Sequence, residues 1–268
     1  PQMAWTTVFE SSPCIPLAMA NEPPRFSGIA NGGRMVLLSP NQLLVSVGDH
    51  EMDGWLTTTA VSQDPAYSHG KMILVHLDDL TSEIYTLGQR NPQGLTLSNA
   101  GLLWSTEHGP EGGDELNLIE RGANYGWPLA TYGTEYGTHS WPLSPKPGNH
   151  DNFKQPFYSW VPSVGISSLV ESTSPRFANW QGDLLIGALK DQALWRLRVR
   201  EGRVVMTERI PFGERIRDVL QGHSGELVVW TDKATLHFIV PSEGYAPDPR
   251  ESLPRPRPAC HVAPPGST

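Results

Sequence analysis

Short apolar runs, four to eight residues long, recur along the chain between clusters of Gly, Pro, Asn, Asp and Ser. Runs 35–38 and 43–47 flank Ser39-Pro40-Asn41-Gln42, a composition that favours a turn. Runs 71–77 and 83–87 flank an Asp-rich turn, and 95–97 and 102–106 flank Ser98-Asn99-Ala100-Gly101. Farther on come 183–189, 193–199, 203–210, 216–220, 227–231 and 235–240. All are rich in Val, Ile, Leu and aromatic residues, which predicts strands. Leu194-Trp195-Arg196-Leu197-Arg198-Val199 alternates apolar and basic positions, the period of a half-buried strand. No stretch keeps the i, i+3, i+4, i+7 period of a helix over three turns. The pattern predicts an all-β protein. It leaves sandwich, barrel and propeller open.

Two regions break the rhythm. Residues 107–165 read as long Gly/Pro/aromatic loops, a length that points to function. Residues 241–268 are Pro-rich and poor in apolar side chains, the composition of a disordered tail. The expected organisation is an unassigned segment 1–27, a β domain over 28–240 and that tail. With 20 basic and 28 acidic side chains the net charge is −8, which argues against a nucleic-acid surface. No apolar run is long enough for a membrane-spanning helix. The chain opens on Pro1 with no leader-like pattern after it, so a removed leader or a fragment is expected. Two cysteines, Cys14 and Cys260, make neither a disulfide framework nor a thiolate metal site.

The candidate chemistry sits in Gly88-Gln89-Arg90-Asn91-Pro92-Gln93-Gly94-Leu95 and in Trp104-Ser105-Thr106-Glu107-His108-Gly109-Pro110-Glu111-Gly112-Gly113-Asp114-Glu115-Leu116-Asn117. Gly122-Ala123-Asn124-Tyr125-Gly126-Trp127-Pro128 follows. A cation, an imidazole and clustered carboxylates share a loop whose glycines allow close backbone approach. Carboxylates and free carbonyls in such a loop suit a hard cation such as Ca²⁺.

These segments resemble the PQQ-dependent soluble aldose sugar dehydrogenases, the glucose/sorbosone dehydrogenase type. Weaker matches follow in order: Gly32-Gly33-Arg34, Val47-Gly48-Asp49, Gly70-Lys71, Trp160-Val161-Pro162-Ser163, Leu189-Lys190, Arg215-Ile216-Arg217 and Thr231-Asp232. The resemblance covers about residues 28 to 240 and implies a six-bladed β-propeller, possessing or falling short of a full ring. It implies oxidation of an aldose or related alcohol at the anomeric carbon, with PQQ and Ca²⁺ as cofactors. Arg90, Asn91, Lys190, Arg215 and Arg217 would surround the cofactor, with His108, Asp114 and Ser163 lining the site. Arginine's planar fork matches carboxylate and quinone oxygens. The carbonyls of Gly109 and Pro110 would hold one Ca²⁺, and Glu115 and Tyr125 a second, structural one. The resemblance also implies a periplasmic or secreted location. It leaves the electron acceptor open, with a c-type cytochrome as a candidate.

Three departures stand out. The family's proton-accepting histidine precedes the Xaa-Gly-Gly-Arg run, and here that place is Ala30. A positioned base is worth about 10²–10⁴-fold. Asp49, resembling the carboxylate that orients that base, is kept, and its neighbour His50 is the candidate substitute. Second, six blades of about 40–50 residues need more chain than aligns here, so five or six blades, short of closure, are expected. Third, Arg257-Pro258-Ala259-Cys260-His261 resembles a haem attachment motif lacking its first cysteine. Asp49–Gly54 begins like an EF-hand loop, but Ala60 stands at its twelfth position. An alternative function is a non-catalytic propeller that binds carbohydrate or protein. A propeller glycosidase is a third class, and it needs two acids about 5–10 Å apart across a cleft.

Overall fold

The computed structural model describes residues 3–15 and 28–241. The Arg257–His261 motif, Cys260 and nearly all of the Pro-rich tail lie outside those residues; Cys14 is exposed. The described strands form four antiparallel sheets. The first contains β1 (Gly32–Ser39), β2 (Gln42–Val47), β3 (Lys71–His76) and β4 (Ser82–Thr86). The second contains β5 (Pro92–Leu97), β6 (Leu103–Glu107), β7 (Asp114–Leu118) and β8 (Tyr158–Trp160). The third contains β9 (Ile166–Glu171), β10 (Leu184–Ala188), β11 (Ala193–Arg200) and β12 (Arg203–Pro211). The last contains β13 (Ile216–Gln221), β14 (Leu227–Thr231) and β15 (Leu236–Ile239). In each sheet neighbours in sequence are neighbours in space. Such meanders, three of four strands and one of three, are propeller blades.

The blades are joined through their first strands, β1 to β5 to β9 to β13. Polar contacts fix their relative level. Arg34 Nε donates to the Gln93 carbonyl at 2.7 Å, Ser167 Oγ to the Ile216 carbonyl at 2.7 Å, and the Val219 amide to Ser168 Oγ at 2.7 Å. Residues at similar positions within each first strand therefore meet. These strands run the same way and border an open cleft of about 220 Å³ lined by Arg34, Leu95, Leu169 and Asp218 among others. Arg34 spans it, its Nη1 2.8 Å from Asp218 Oδ2.

Apolar side chains fill the joints between blades. Leu44, Met72 and Leu74 of the first sheet pack on Leu95 and Leu103 of the second. Trp104, Leu116 and Trp160 meet Ile166, Leu169, Leu184, Ile186 and Leu197. Leu185 and Leu194 meet Ile216, Val219, Leu227 and Val229.

Four blades stand among the described residues, where the resemblance and the length of chain led to an expectation of five or six. The second blade explains part of the difference, because its β7–β8 connection consumes a long stretch of chain. Residues 107–165 are correspondingly not all loop: β7 and β8 lie within them. Strand β7 was hidden because Asp114, Glu115 and Asn117 are polar yet buried. The alternation in β11 also misleads at one position. Arg196 is buried, with its Nε 2.7 Å from Asp183 Oδ2 and its Nη1 2.6 Å from Glu208 Oε2.

Glycine sets the spacing of one joint. A Cβ on Gly94 would lie 2.2 Å from Thr106 Oγ1 and 2.9 Å from the Leu169 amide nitrogen of the next blade. Overpacking of this kind costs about 1–3 kcal/mol. Gly94→Ala is expected to lower the urea unfolding midpoint with the slope unchanged. A midpoint equal to that of the parent chain would show that the joint can expand freely.

Candidate active site

The strand register decides where the candidate residues lie. At one end of the blades the first two strands pair through Gly32↔Val47, Pro92↔Glu107, Ile166↔Ala188 and Ile216↔Thr231. Ala30, Asp49 and His50 lie just beyond the first pair, and Arg90, Asn91, His108, Gly109 and Pro110 just beyond the second. Ser163 and Lys190 flank the third, and Arg215 and Asp232 the fourth. Because the first strands run in the same direction, all four places share one rim. Residues scattered along the chain are thus gathered by register alone.

Arg90 is held firmly on this rim. Its Nη1 donates to the Gly109 carbonyl at 2.8 Å and to the His108 carbonyl at 3.3 Å. Its guanidinium lies 5.2 Å from the centre of the Trp127 ring, a cation–π contact. Its backbone N–H donates to Glu107 Oε1. Asn91 Oδ1 accepts from the Gly32 amide at 3.3 Å and from Gln93 Nε2 at 2.7 Å, so Asn91 joins the first two blades.

Across the rim, Arg215 Nε donates to Asp232 Oδ2 at 2.6 Å, and Arg217 Nε donates to Asp232 Oδ1. These contacts, that with Arg217 foremost, hold the Asp232 carboxyl below its usual range. Lys190 is exposed beside Gly165. The His108 imidazole connects the two sides electrostatically. Burial depresses its pKa, Asp114 opposes this, and the charges of Arg90, Arg217 and Arg215 depress it further. His108 therefore sits neutral among guanidinium groups of two blades.

Asp114 and Ser163 organise the rim from beneath. The Asp114 carboxylate is buried, and Oδ1 accepts from the Gly109 amide at 3.1 Å and from Ser163 Oγ at 2.8 Å. Oδ2 accepts the amides of Val164, Gly165 and Ile166 at 3.0, 2.7 and 3.2 Å. One carboxylate thus fixes both the loop after His108 and the turn into β9.

Asp49 is buried in the first blade, where its Oδ1 accepts from the Glu51 amide at 2.9 Å and its Oδ2 from Trp127 Nε1 at 2.7 Å. Burial raises its pKa to about 7 against the lowering effect of Arg90. The His50 amide donates to the Ala30 carbonyl at 3.1 Å. His50 therefore stands directly beside the place of the missing histidine. Its ring meets His69 edge-on, with centroids 5.5 Å apart, and burial lowers its pKa. The segment resembling an EF-hand is a capped turn, in which Asp53 Oδ1 accepts the amides of Trp55 and Leu56, both at 2.8 Å.

Behind Arg90 lies a narrow, partly open space with room for one water or ion, about 10 Å³, lined by Arg90, Glu107, Gly109, Glu115, Tyr125 and Trp127 among others. Burial and then the Glu115 charge push Glu107 well above the usual carboxylate range. Glu115 is raised by burial to about 8. Glu107 Oε2 is buried without a hydrogen-bond partner. The Tyr125 hydroxyl donates to the Leu118 carbonyl at 2.7 Å and accepts the Glu120 amide at 2.9 Å. Its phenol is therefore committed to the fold. Among the described residues no group of three or more His, Cys, Asp or Glu side chains forms a metal centre.

Two contributors escaped the sequence reading. Trp127 was part of a quoted motif but had no role, and its link to Asp49 spans 78 positions. Glu107 was one carboxylate among several, and only its burial marks it out.

The Glucose / Sorbosone dehydrogenase family model matches residues 18–239. Aldose sugar dehydrogenase YliI of Escherichia coli is 34% identical over 225 residues, covering 76% of this chain and 57% of that protein. Quinoprotein glucose dehydrogenase B of Acinetobacter calcoaceticus is 37% identical over 113 residues, 38% of this chain and 22% of that one. The crystal structure of the soluble aldose sugar dehydrogenase from E. coli in the apo-form superposes with a TM-score of 0.72 at 32% identity. That alignment covers 82% of this chain and 66% of the other. The chain spans a little over half the length of the E. coli relative. A match running through all four blades, and a fold shared with a solved sugar dehydrogenase, establish that the chain belongs to the glucose/sorbosone dehydrogenase family.

Proposed function

We propose that this chain forms the cofactor-binding part of a PQQ- and Ca²⁺-dependent dehydrogenase that oxidises an aldose or related alcohol at its anomeric carbon. The observation that carries the reading is the gathering of Arg90, Lys190, Arg215 and Arg217 on one rim of a protein whose net charge is −8. A flat cofactor with three carboxylates needs such a set, and arginine forks bind carboxylates in pairs. One of the relatives is named a quinoprotein, which points the same way.

The residues present fit both groups. Asp232 pre-orients Arg215 and Arg217, while Trp127 and two carbonyls pre-orient Arg90. The Gly109 carbonyl accepts one bond from Arg90, and the Pro110 carbonyl one from Tyr136 at 3.4 Å. Each keeps a lone pair with which to hold Ca²⁺. Glu107 and Glu115 offer a second cation the negative charge that burial otherwise opposes, with the Tyr125 backbone carbonyl nearby. When bound, PQQ supplies a quinone carbonyl that accepts hydride, and Ca²⁺ supplies Lewis acidity beside it.

The chain's own part is to orient and to move a proton. His50, kept neutral by burial, accepts the proton of the sugar C1 hydroxyl on a ring nitrogen. Asp49, its neighbour in sequence, anchors the loop that carries His50 through the Glu51 amide and Trp127. Neutral His108 lines the site without adding positive charge. The binding-module alternative gains no support from the comparisons. A periplasmic or secreted location and a cytochrome-like acceptor belong to the same proposal.

Three measurements test it. Adding PQQ and Ca²⁺ to the purified protein should give stoichiometric uptake in the quinone absorbance, followed by aldose-dependent dye reduction; absence of uptake overturns the proposal. Ala30→His should raise the dehydrogenase rate at least ~10-fold, a floor set below the roughly 10²–10⁴-fold that a positioned base supplies because His50 already stands nearby. Ala30 has φ 53°, a region that histidine enters more readily than most residues. An unchanged rate in a PQQ-loaded variant would place the limiting defect elsewhere.

The third concerns pH. Between its ordinary 4.5 and its folded value of about 8, Glu115 binds a proton in the folded state that the unfolded chain has lost. Stability contributed by that proton is therefore lost as pH rises, and Glu107 acts in the same direction. Between pH 7 and 8 the buried histidines, whose pKa values are lowered, are neutral in both states. Lys71, lowered to about 8, remains mostly charged in both states below that pH. In chelator, urea stability should fall by about 1–3 kcal/mol across this interval, and Ca²⁺ should flatten the slope. An equal slope with and without Ca²⁺ would remove the metal from the carboxylate pair.

A further inference from the structure

Trp127 belongs neither to the cofactor-binding cations nor to the base, yet it touches both. Its indole N–H donates to Asp49 Oδ2 at 2.7 Å, and its ring lies under the Arg90 guanidinium, 5.2 Å from centroid to Cζ. Trp141 supports the ring from another side, with centroids 4.7 Å apart, and both side chains are buried. The Trp127 amide donates to the Gly88 carbonyl at 3.0 Å, which fixes its backbone to the segment carrying Arg90. A second link runs directly from the Asp49 amide to the Arg90 carbonyl at 2.8 Å. Rotating the indole would break the Asp49 bond and remove the surface on which Arg90 rests. Ordinary core packing explains the burial of Trp127 but not the placement of its polar edge on a carboxylate and its face under a cation.

We propose that Trp127 is a positioning residue that couples the base-side carboxylate Asp49 to the cofactor-side guanidinium of Arg90, so that the two halves of the rim keep one geometry. The roles of the two halves rest on the proposed function, whereas the coupling itself rests on the contacts alone. The indole N–H supplies Asp49 with a donor that neither Glu51 nor solvent can replace. The ring face holds Arg90 without neutralising it, leaving its charge for an anionic ligand. Arg90 acts on Asp49 from the second blade, Asp53 from its own loop, and Glu107 lies close enough to interact with it; His50 is its neighbour in sequence.

The test begins with the cofactor-free protein. In ¹⁵N–¹H spectra the Trp127 indole resonance, assigned by its loss in Trp127→Phe or in Trp127→Leu, should titrate with a midpoint near pH 7, where burial places Asp49. In Asp49→Asn the same resonance should not titrate. If the variants fail to fold, selective ¹⁵N-Trp labelling and through-space contacts to Trp141 make the assignment in the parent chain. A pH-invariant indole in the parent chain, or one that still titrates in Asp49→Asn, overturns the proposal whether or not PQQ binds.

The loaded protein then separates the two contacts. Trp127→Phe keeps a ring under Arg90 but loses the N–H. PQQ affinity should stay within about threefold, while kcat falls about 10–100-fold and the acid limb of the pH profile moves upward, the scale set by a hydrogen bond to a charged group. Trp127→Leu loses both contacts, and PQQ affinity should also fall by about tenfold. An unchanged pH profile in the first variant, or unchanged PQQ affinity in the second, overturns the coupling. If the parent chain takes up no PQQ, the proposed function fails, and the indole titration still decides the role of Trp127.

Discussion

The Asp114 carboxylate is the contact on which the rim depends. It is buried, charged and satisfied by five donors from two separate loops. A buried charge persists only when its hydrogen bonds are made, and removing a partner is costly. The loop bearing His108, Gly109 and Pro110 therefore cannot shift relative to the turn bearing Ser163 without leaving that charge unsatisfied. The result is a fixed distance between the second and third blades at the end where the site lies. Apolar packing between those blades supplies cohesion, but it is non-directional. Register and the Asp114 bonds supply the direction.

Charge is distributed on the same principle. The molecule is acidic overall, yet its rim carries cations, and most are balanced locally. Asp232 takes Arg215 and Arg217, Asp218 takes Arg34, and Asp183 takes Arg196 and Arg198. Arg90 differs, since its side chain rests on carbonyls and an indole face. Those partners orient a guanidinium without cancelling its charge. The nearby carboxylates Asp49 and Glu107 are raised by burial, so near neutral pH they do not fully compensate it. This is an electrostatic situation that favours an anionic ligand, and Arg215 and Arg217, which share the single carboxylate Asp232, keep one net positive charge between them for the same purpose.

Strands β2, β3, β11 and β14 were legible in the sequence, since most of their buried positions are apolar and each buries a single polar residue, Ser46, Lys71, Arg196 and Thr231 respectively, whereas β7 and β9 were not. The exceptions share a cause. β7 buries Asp114, Glu115 and Asn117, and β9 buries Ser167 and Ser168, whose hydroxyls join neighbouring blades. Polar groups placed inside for the site or for a joint erase the hydrophobic period that marks a strand, and such local violations concentrate where function is built. Site residues became legible through the family motif rather than through spacing, because register unites positions far apart in sequence. Trp127 and Glu107 show the limit. Their importance lies in what they touch, and no periodicity encodes a contact across 78 positions.

The division of labour among blades separates binding from turnover. Arg90, Lys190, Arg215 and Arg217 come from the second, third and fourth blades, and the three arginines are anchored by contacts within the described residues. The proposed proton-accepting side belongs to the first blade, where Ala30 stands in the place the resemblance gives to a histidine and the His50 amide bonds to its carbonyl. The two sides meet at Asn91, whose side chain accepts the Gly32 amide, and at Trp127, whose indole reaches Asp49. A change at position 30 therefore removes a proton acceptor without disturbing the cationic rim, since Ala30 contributes its backbone carbonyl to His50 whatever its side chain. Under the proposed function, affinity for an anionic cofactor and competence to oxidise a sugar would be set by different blades, so that one could be retained while the other is weakened.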